Sequence, residues 1–274
     1  MITRSEHRCF GGTQGFYEHE SKACSGPMKF GVYLPPEVST SVPALYFLAG
    51  LECNEQTFAT KAGAQALAAQ LGLAIVTPDT SPRAARFPGD DASWDFGLAA
   101  SFYVDATVEP YASAYRMRTY IVDELPALIE ANFPVRKDRR GLFGHSMGGH
   151  GALTLALNHP ERYRSVSAIA PICAPSDVPW GQKAFKGYLG LGEWAAYDAT
   201  ALVTSGKRCA PLRIDQGSAD KFLDSQLKPE RFERACAQGG QPLELVMHPG
   251  YDHGYYFISS VMEAQLRHHA SSLI

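Results

Sequence analysis

The sequence predicts an α/β fold: a mostly parallel central sheet with helices on both faces. Three observations carry that prediction. Short apolar runs alternate with stretches of helical spacing along most of the chain. The apolar runs are continuous, without polar alternation, as in strands buried on both faces. Two long segments, 78–110 and 171–204, interrupt the alternation just past predicted strands, where open α/β sheets place their sites.

The first 35 residues hold short β-like runs, among them 28–34, punctuated by Gly11, Gly12, Gly26 and the pair Pro35-Pro36. Residues 44–49, Ala-Leu-Tyr-Phe-Leu-Ala, form a buried strand, and the Ala-rich stretch 57–71 reads as one helix. Residues 73–76 give a strand, and 115–132 a helix that Pro126 restarts or kinks. Residues 140–143 lead as a strand into Gly144, and 152–158 form a helix ended by Pro160. Further strands are expected at 166–169, 212–214 and 243–247, and further helices at 229–238 and 259–273. No repeat, low-complexity tract or linker divides the chain, so residues 1–274 are expected to form a single domain.

Composition narrows the class. The chain is 45% hydrophobic and 19% charged with a net charge of −3, which supports a globular core and disfavours nucleic acid. Residues 1–12 lack the apolar centre of a secretory signal, and the longest apolar stretches fall far short of a membrane span. Six cysteines without a CxxC argue against zinc ribbons and redox motifs. They are read as reduced thiols of a cytoplasmic protein, although an even count also permits disulfides.

Gly144-His-Ser-Met-Gly148 fits G-x-S-x-G between a strand and a helix, the setting in which glycines allow a strained turn that exposes a serine. Ser146 then needs a base, because an alkoxide does not form unaided near neutral pH. His145 adjoins it on the turn and should diverge, and His150 should run along the helix, so both are read as packing groups. His253, in the Gly-flanked loop between the last strand and last helix, is the expected base, ahead of His248 at a strand end. The acid is expected to be Asp220, beyond a strand end, with Asp215 on the strand as the reserve. The amides of Leu51 and Met147 are the expected oxyanion donors, since Gly50 lets its loop turn and Met147 follows the nucleophile.

The chain resembles the S-formylglutathione hydrolase (esterase D) family over nearly its whole length. The resemblance is carried by residues 49–53 (AGLEC), 78–83 (PDTSPR), 93–97 (SWDFG), 102–107 (FYVDAT), 143–152, 170–173 (APIC), 179–181 (PWG), 184–190 and 250–258. It implies an α/β-hydrolase fold and hydrolysis of the thioester S-formylglutathione to glutathione and formate, a step of formaldehyde detoxification. It also implies an acyl-serine intermediate and no cofactor or metal. The family triad falls on Ser146, Asp220 and His253, and the family oxyanion donors on Leu51 and Met147. Cys53 matches a family cysteine near the site, although it also reads as a small buried hydrophobe. Glu52, where a small polar residue is expected, and Ala84-Ala-Arg-Phe87 depart from the family pattern at the groove for the thiol side.

For a substrate with two carboxylates and one ammonium, Lys61, Arg83, Arg86 and Lys186 are candidate cationic contacts, each competing with a role as a solvated charge. Trp180 or Phe102 would line a small acyl pocket, whereas Trp94 and Asp95 should hold loop structure. The expected partners are this small thioester and, as an open option, a second copy of the chain; nucleic acid and membrane are not expected. Residues 190–195 match G-x-G-x-x-A without a preceding strand and are not a nucleotide fingerprint. His268 and His269 read as a solvated helix end rather than a metal site. Two rival functions remain: a general short-chain carboxylesterase or acyltransferase of the same fold, and a non-catalytic hydrolase-like binding protein.

Overall fold

The computed structural model describes residues 1–36, 41–192 and 194–274; residue 193, inside the 190–195 string, lies outside them. Nine strands form one sheet in the order β1-β2-β3-β5-β4-β6-β7-β8-β9. The N-terminal strands β1 (Ile2–Cys9), β2 (Gly12–Ser21) and β3 (Gly26–Leu34) make an antiparallel meander. Gly11, at φ 76, takes the left-handed conformation that the turn between β1 and β2 demands. β3 pairs antiparallel with β5 (Ala74–Pro78).

From β5 onward every pairing is parallel, through β4 (Val42–Leu48), β6 (Val135–His145), β7 (Ser165–Ile169), β8 (Leu212–Gly217) and β9 (Leu243–His248). All residues of β5 and β7 are buried, as strands covered on both faces must be. The expected mostly parallel sheet is therefore present, with an antiparallel N-terminal edge.

Local breaks follow local chemistry. The helix expected over 57–71 is two: α1 (Thr57–Lys61) and α2 (Gln65–Leu71), with Gly63 at φ 69 between them. α3 (Leu125–Asn132) follows a π-turn over Tyr120–Glu124, which accommodates the missing N–H of Pro126. α4 (Met147–Asn158) starts directly after Ser146, five residues before the expected position of 152. The segment 171–204 is not an irregular loop: it carries α5 (Pro179–Leu189) and α6 (Ala199–Thr204). α7 (Pro229–Gly239) and α8 (Tyr255–Leu273) complete the set.

Helices cover both faces of the sheet. Ser165 and Ser167 of β7 point to α8, where their hydroxyls meet the ring of His269 at 2.7 and 2.8 Å. Strand alternation turns Val166 and Ala168 to the other face, and α4 packs on β6 and β7. His268 and His269 are thus not a solvated end. His269 is fully buried, and the Nε2 of His268 lies 3.0 Å from the Val166 carbonyl. A helix packed along its whole length on the sheet has no free end to expose them.

The two insertions after β5 and β7 pack on each other. Tyr188 of α5 accepts from Gly97 N at 2.8 Å, donates to the Ala100 carbonyl at 2.9 Å, and stacks on Phe96. Lys183 binds Asp95 and donates to Ser93 at 2.7 Å. These contacts tie the 79–110 segment to α5 as one wall above the C-terminal strand ends. All six cysteines are free thiols. Among the described residues no helix is long and apolar enough to cross a membrane.

Candidate active site

β6 delivers an apolar run to the surface of the sheet and ends at His145. Ser146 follows at φ 57 and ψ −117, a left-handed backbone that costs a non-glycine residue energy. Hydrogen bonds hold it there: Ser146 N donates to Ile169 O at 3.0 Å, and Ser146 O accepts from His150 N at 3.0 Å. The glycines on either side are sterically required. A Cβ on Gly144 would meet Gly148 O at 2.3 Å, and one on Gly148 would meet Leu48 O at 1.9 Å. The turn therefore lifts Ser146 out of the sheet while α4 starts beneath it. Met147, the first helical residue, has an amide with no intrahelical acceptor.

The loop after β4 approaches from one side. Tyr103 anchors it by donating to the Ala49 carbonyl at 2.9 Å, and Cys53 N closes a turn onto Gly50 O at 3.4 Å. A Cβ on Gly50 would come within 3.2 Å of the Ser146 Cβ, so glycine lets this backbone lie against the serine. Leu51 sits inside that turn and lines the cleft.

The loops after β8 and β9 bring Asp220 and His253 together. Asp220 Oδ2 lies 2.6 Å from His253 Nδ1, with the Asp220 side chain fully buried. Its other oxygen accepts from Phe222 N at 2.9 Å, and Gln216 donates to Oδ2 at 3.3 Å. With Nδ1 engaged, Nε2 is the His253 nitrogen left for the cleft. His253 and Ser146 line the same cleft of about 630 Å³. Among the described residues the Ser146 hydroxyl hydrogen-bonds to no protein group, the open arrangement common in unliganded hydrolases.

The other histidines divide by environment. His145 is buried, and both its ring nitrogens lack a partner among the described residues. Its ring lies 4.5 Å from that of His253, and burial holds its pKa well below the ordinary histidine range. It lines the cleft beside Ser146 and His253. His150 is fully buried with Nε2 3.1 Å from the Phe102 carbonyl, and burial pushes its pKa down to about 4. His248 pairs with the reserve acid, Asp215 Oδ1, at 2.7 Å. Arg213 and Gln265 also bind Asp215, which leaves that carboxylate wholly occupied within the sheet.

The comparisons with known proteins meet this geometry. An Esterase family model matches residues 21–268. S-formylglutathione hydrolases of rat and mouse are 51% and 52% identical, over 98% of this chain and 97% of theirs. The chain belongs to the S-formylglutathione hydrolase (esterase D) family. The solved S-formylglutathione hydrolase of Agrobacterium tumefaciens superposes with a TM-score of 0.98 at 44% identity, covering all of both chains. A fluorophosphonate-binding serine hydrolase of Staphylococcus aureus shares the fold at a TM-score of 0.76 and 19% identity, over 94% of this chain and 98% of that one.

The contacts suggested by the S-formylglutathione hydrolase resemblance are only partly brought to the cleft. Cys53 and Trp180 line it. Burial raises the Cys53 pKa, so it stays a thiol, and its sulfur lies 4.0 Å from the Tyr255 hydroxyl. Lys61 is not among the lining residues, and its ammonium lies 5.6 Å from the centre of the Tyr255 ring. Arg83 does not reach the cleft. It is consumed by Asp79 at 2.7 Å and the Cys53 carbonyl at 2.9 Å, and so braces the loop from outside. Arg86 is paired with Asp91, and Lys186 is exposed on α5 away from the lining.

Phe102 is fully buried against His150 and Phe185 rather than lining the acyl space. Trp94, expected only to hold loop structure, instead faces the cleft, edge-on to Trp180 at 5.4 Å. Lys221, Phe222 and Tyr255 also line the cleft and were not singled out from the sequence. Their signal was adjacency: Lys221 and Phe222 follow Asp220, and Tyr255 stands two residues after His253.

Proposed function

We propose that this chain hydrolyses S-formylglutathione to glutathione and formate, with Ser146 as nucleophile, His253 as base and Asp220 as the acid that orients it. One observation carries the reading. The buried 2.6 Å Asp220–His253 pair opens onto the cleft that Ser146 lines, in a chain about half identical to curated S-formylglutathione hydrolases.

In the first step His253 Nε2 takes the Ser146 proton as the oxygen attacks the formyl carbon. The amides of Leu51 and Met147 donate to the resulting oxyanion, and the positive end of α4 adds to the same field. As the adduct collapses, the His253 imidazolium gives its proton to the departing glutathione sulfur, so glutathione leaves as the thiol, His253 is neutral again and formyl-Ser146 remains. A water then gives its proton to His253, its oxygen attacks the acyl carbon, and formate departs as the serine regains a proton. Asp220 keeps the Nδ1 proton in place and stabilises the imidazolium formed in each half-reaction. Trp94 and Trp180 narrow the acyl side, which favours a group as small as formyl.

A cytoplasmic enzyme of one domain spanning residues 1–274 fits the free thiols, which a reducing compartment preserves. A homodimer is the further expectation, and light scattering of the purified chain tests it. For the function, the deciding measurement is kcat/KM for S-formylglutathione against S-acetylglutathione and p-nitrophenyl acetate. Preference for the formyl thioester is expected. Equal values would make the chain a general carboxylesterase, and failure of Ser146 to react with an organophosphate would make it a binding protein.

A further inference from the structure

The cleft carries two charged side chains that the reaction cycle does not use, Glu52 and Lys221. Both are exposed, and neither forms an ion pair among the described residues. They stand on different walls. Glu52 belongs to the loop after β4, and Lys221 to the loop after β8. Ser146 follows β6, which lies between those strands in the order β4-β6-β7-β8.

The Glu52 backbone and the Lys221 side chain each have a defined contact. Glu52 occupies a left-handed backbone at φ 67, where glycine or asparagine costs least, with its N–H bound to Ala99 O at 3.2 Å. The Lys221 ammonium lies 4.8 Å from the centre of the Phe222 ring, and Phe222 packs on both Trp180 and His253. Three strand spacings separate β4 from β8, about 14 Å. An extended tripeptide spans roughly 10 Å, and the two side chains reach in over the remainder.

Glutathione has its thiol on the central residue, a lone carboxylate on the glycyl end, and an ammonium beside a second carboxylate on the γ-glutamyl end. We infer that Glu52 and Lys221 are specificity-determining residues that hold the thioester across Ser146, the γ-glutamyl ammonium on Glu52 and the glycyl carboxylate on Lys221. This rests on the function proposed above and adds the substrate's direction in the cleft. The reverse direction is disfavoured, because it would set the glycyl carboxylate against Glu52 with no ammonium beside it to offset the repulsion. Lys61, whose ammonium lies 5.6 Å from the centre of the Tyr255 ring, is outside the cleft lining.

The test compares S-formylglutathione with two forms of it, the glycyl ethyl ester and the N-acetyl derivative. In Lys221→Gln the ratio of kcat/KM for S-formylglutathione to that for the ethyl ester should fall about tenfold, chiefly through KM, and Lys221→Arg should restore it. In Glu52→Thr the ratio to the N-acetyl derivative should fall by a similar factor. Both losses should shrink at high salt, since the contacts are exposed. Ratios equal to those of the unsubstituted chain, or a Lys221→Gln loss confined to the N-acetyl comparison, would overturn the inference. A chain that does not prefer S-formylglutathione to p-nitrophenyl acetate would instead overturn the function itself.

Discussion

Two histidine–aspartate pairs lie side by side in this molecule. His253 meets Asp220 at 2.6 Å and His248 meets Asp215 at 2.7 Å, and in both the partners are 33 residues apart. The inner pair belongs to the strands. Asp215 on β8 is bound by Arg213, His248 and Gln265, and His248 ends β9. The outer pair belongs to the loops that leave those strands, where His253 faces a cleft shared with Ser146. Similar contact geometry thus serves different ends. The inner carboxylate has its oxygens filled from three directions and holds strand to helix; the outer one binds a ring that lines the cleft with Ser146.

The contrast breaks most visibly at Ser146 and the outer pair, in the roles proposed for them. Ser146→Ala and His253→Ala should each lower kcat by at least about ten-thousand-fold while the circular dichroism of the chain is retained, with Asp220→Asn close behind. His248→Ala should cost less than about tenfold in kcat. A His248→Ala protein that folds normally and is as inactive as His253→Ala would reverse the roles of the two pairs.

The inner pair should answer in stability instead. Asp215→Asn removes the buried carboxylate that Arg213, His248 and Gln265 share, leaves Arg213 only the exposed Glu244, and should cost about 3 kcal/mol of unfolding free energy. Urea denaturation measures this directly. A shift of the midpoint too small to resolve, together with a large loss of kcat, would make Asp215 part of the catalytic apparatus.

A weaker effect concerns the histidines that carry no carboxylate partner. Burial pushes His150 down to about 4, and puts His145 and His269 well below their ordinary range. An unfolded histidine takes its proton near 6.5, so between about 6.5 and 4 the unfolded chain binds more protons than the folded one. Stability is therefore full above about pH 6.5 and falls as the pH drops, by up to about 1.4 kcal/mol per pH unit for each such group. His150→Gln should be less stable at pH 7 yet lose less on going from pH 7 to pH 5, as read from urea midpoints. An equal slope in the two proteins would mean that His150 is protonated in the fold.

The smallest effect expected is on Lys186, exposed on α5 and outside the cleft lining. Lys186→Gln should change kcat/KM for S-formylglutathione by less than twofold. A tenfold loss would mean that the substrate extends beyond the cleft onto α5.

Much of this molecule was legible in the residues alone. The order of strands and helices follows from runs of apolar side chains, and such runs decide locally whether backbone can be buried. The serine turn was readable because Gly144, Gly148 and Ser146 adjoin one another in the chain. The loop positions of Asp220 and His253 followed from where strands end.

Packing decided the rest, because it depends on groups distant in sequence. Gly63 splitting α1 from α2 was visible only as one glycine in a helical stretch. The burial of His268 and His269 required β7 to present Ser165 and Ser167 to α8. Arg83 turned away from the cleft because Asp79 and the Cys53 carbonyl claim its guanidinium. Lys221 was one of several exposed cations in the sequence, and became the cleft's own only when Phe222 packed against His253 and Trp180. The sequence by itself determined which backbone is buried and where the chain must turn, since neighbouring residues settle both. Only the tertiary structure decided which charged side chain faces the substrate, because a long flexible side chain takes its direction from the surfaces that other segments bring to it.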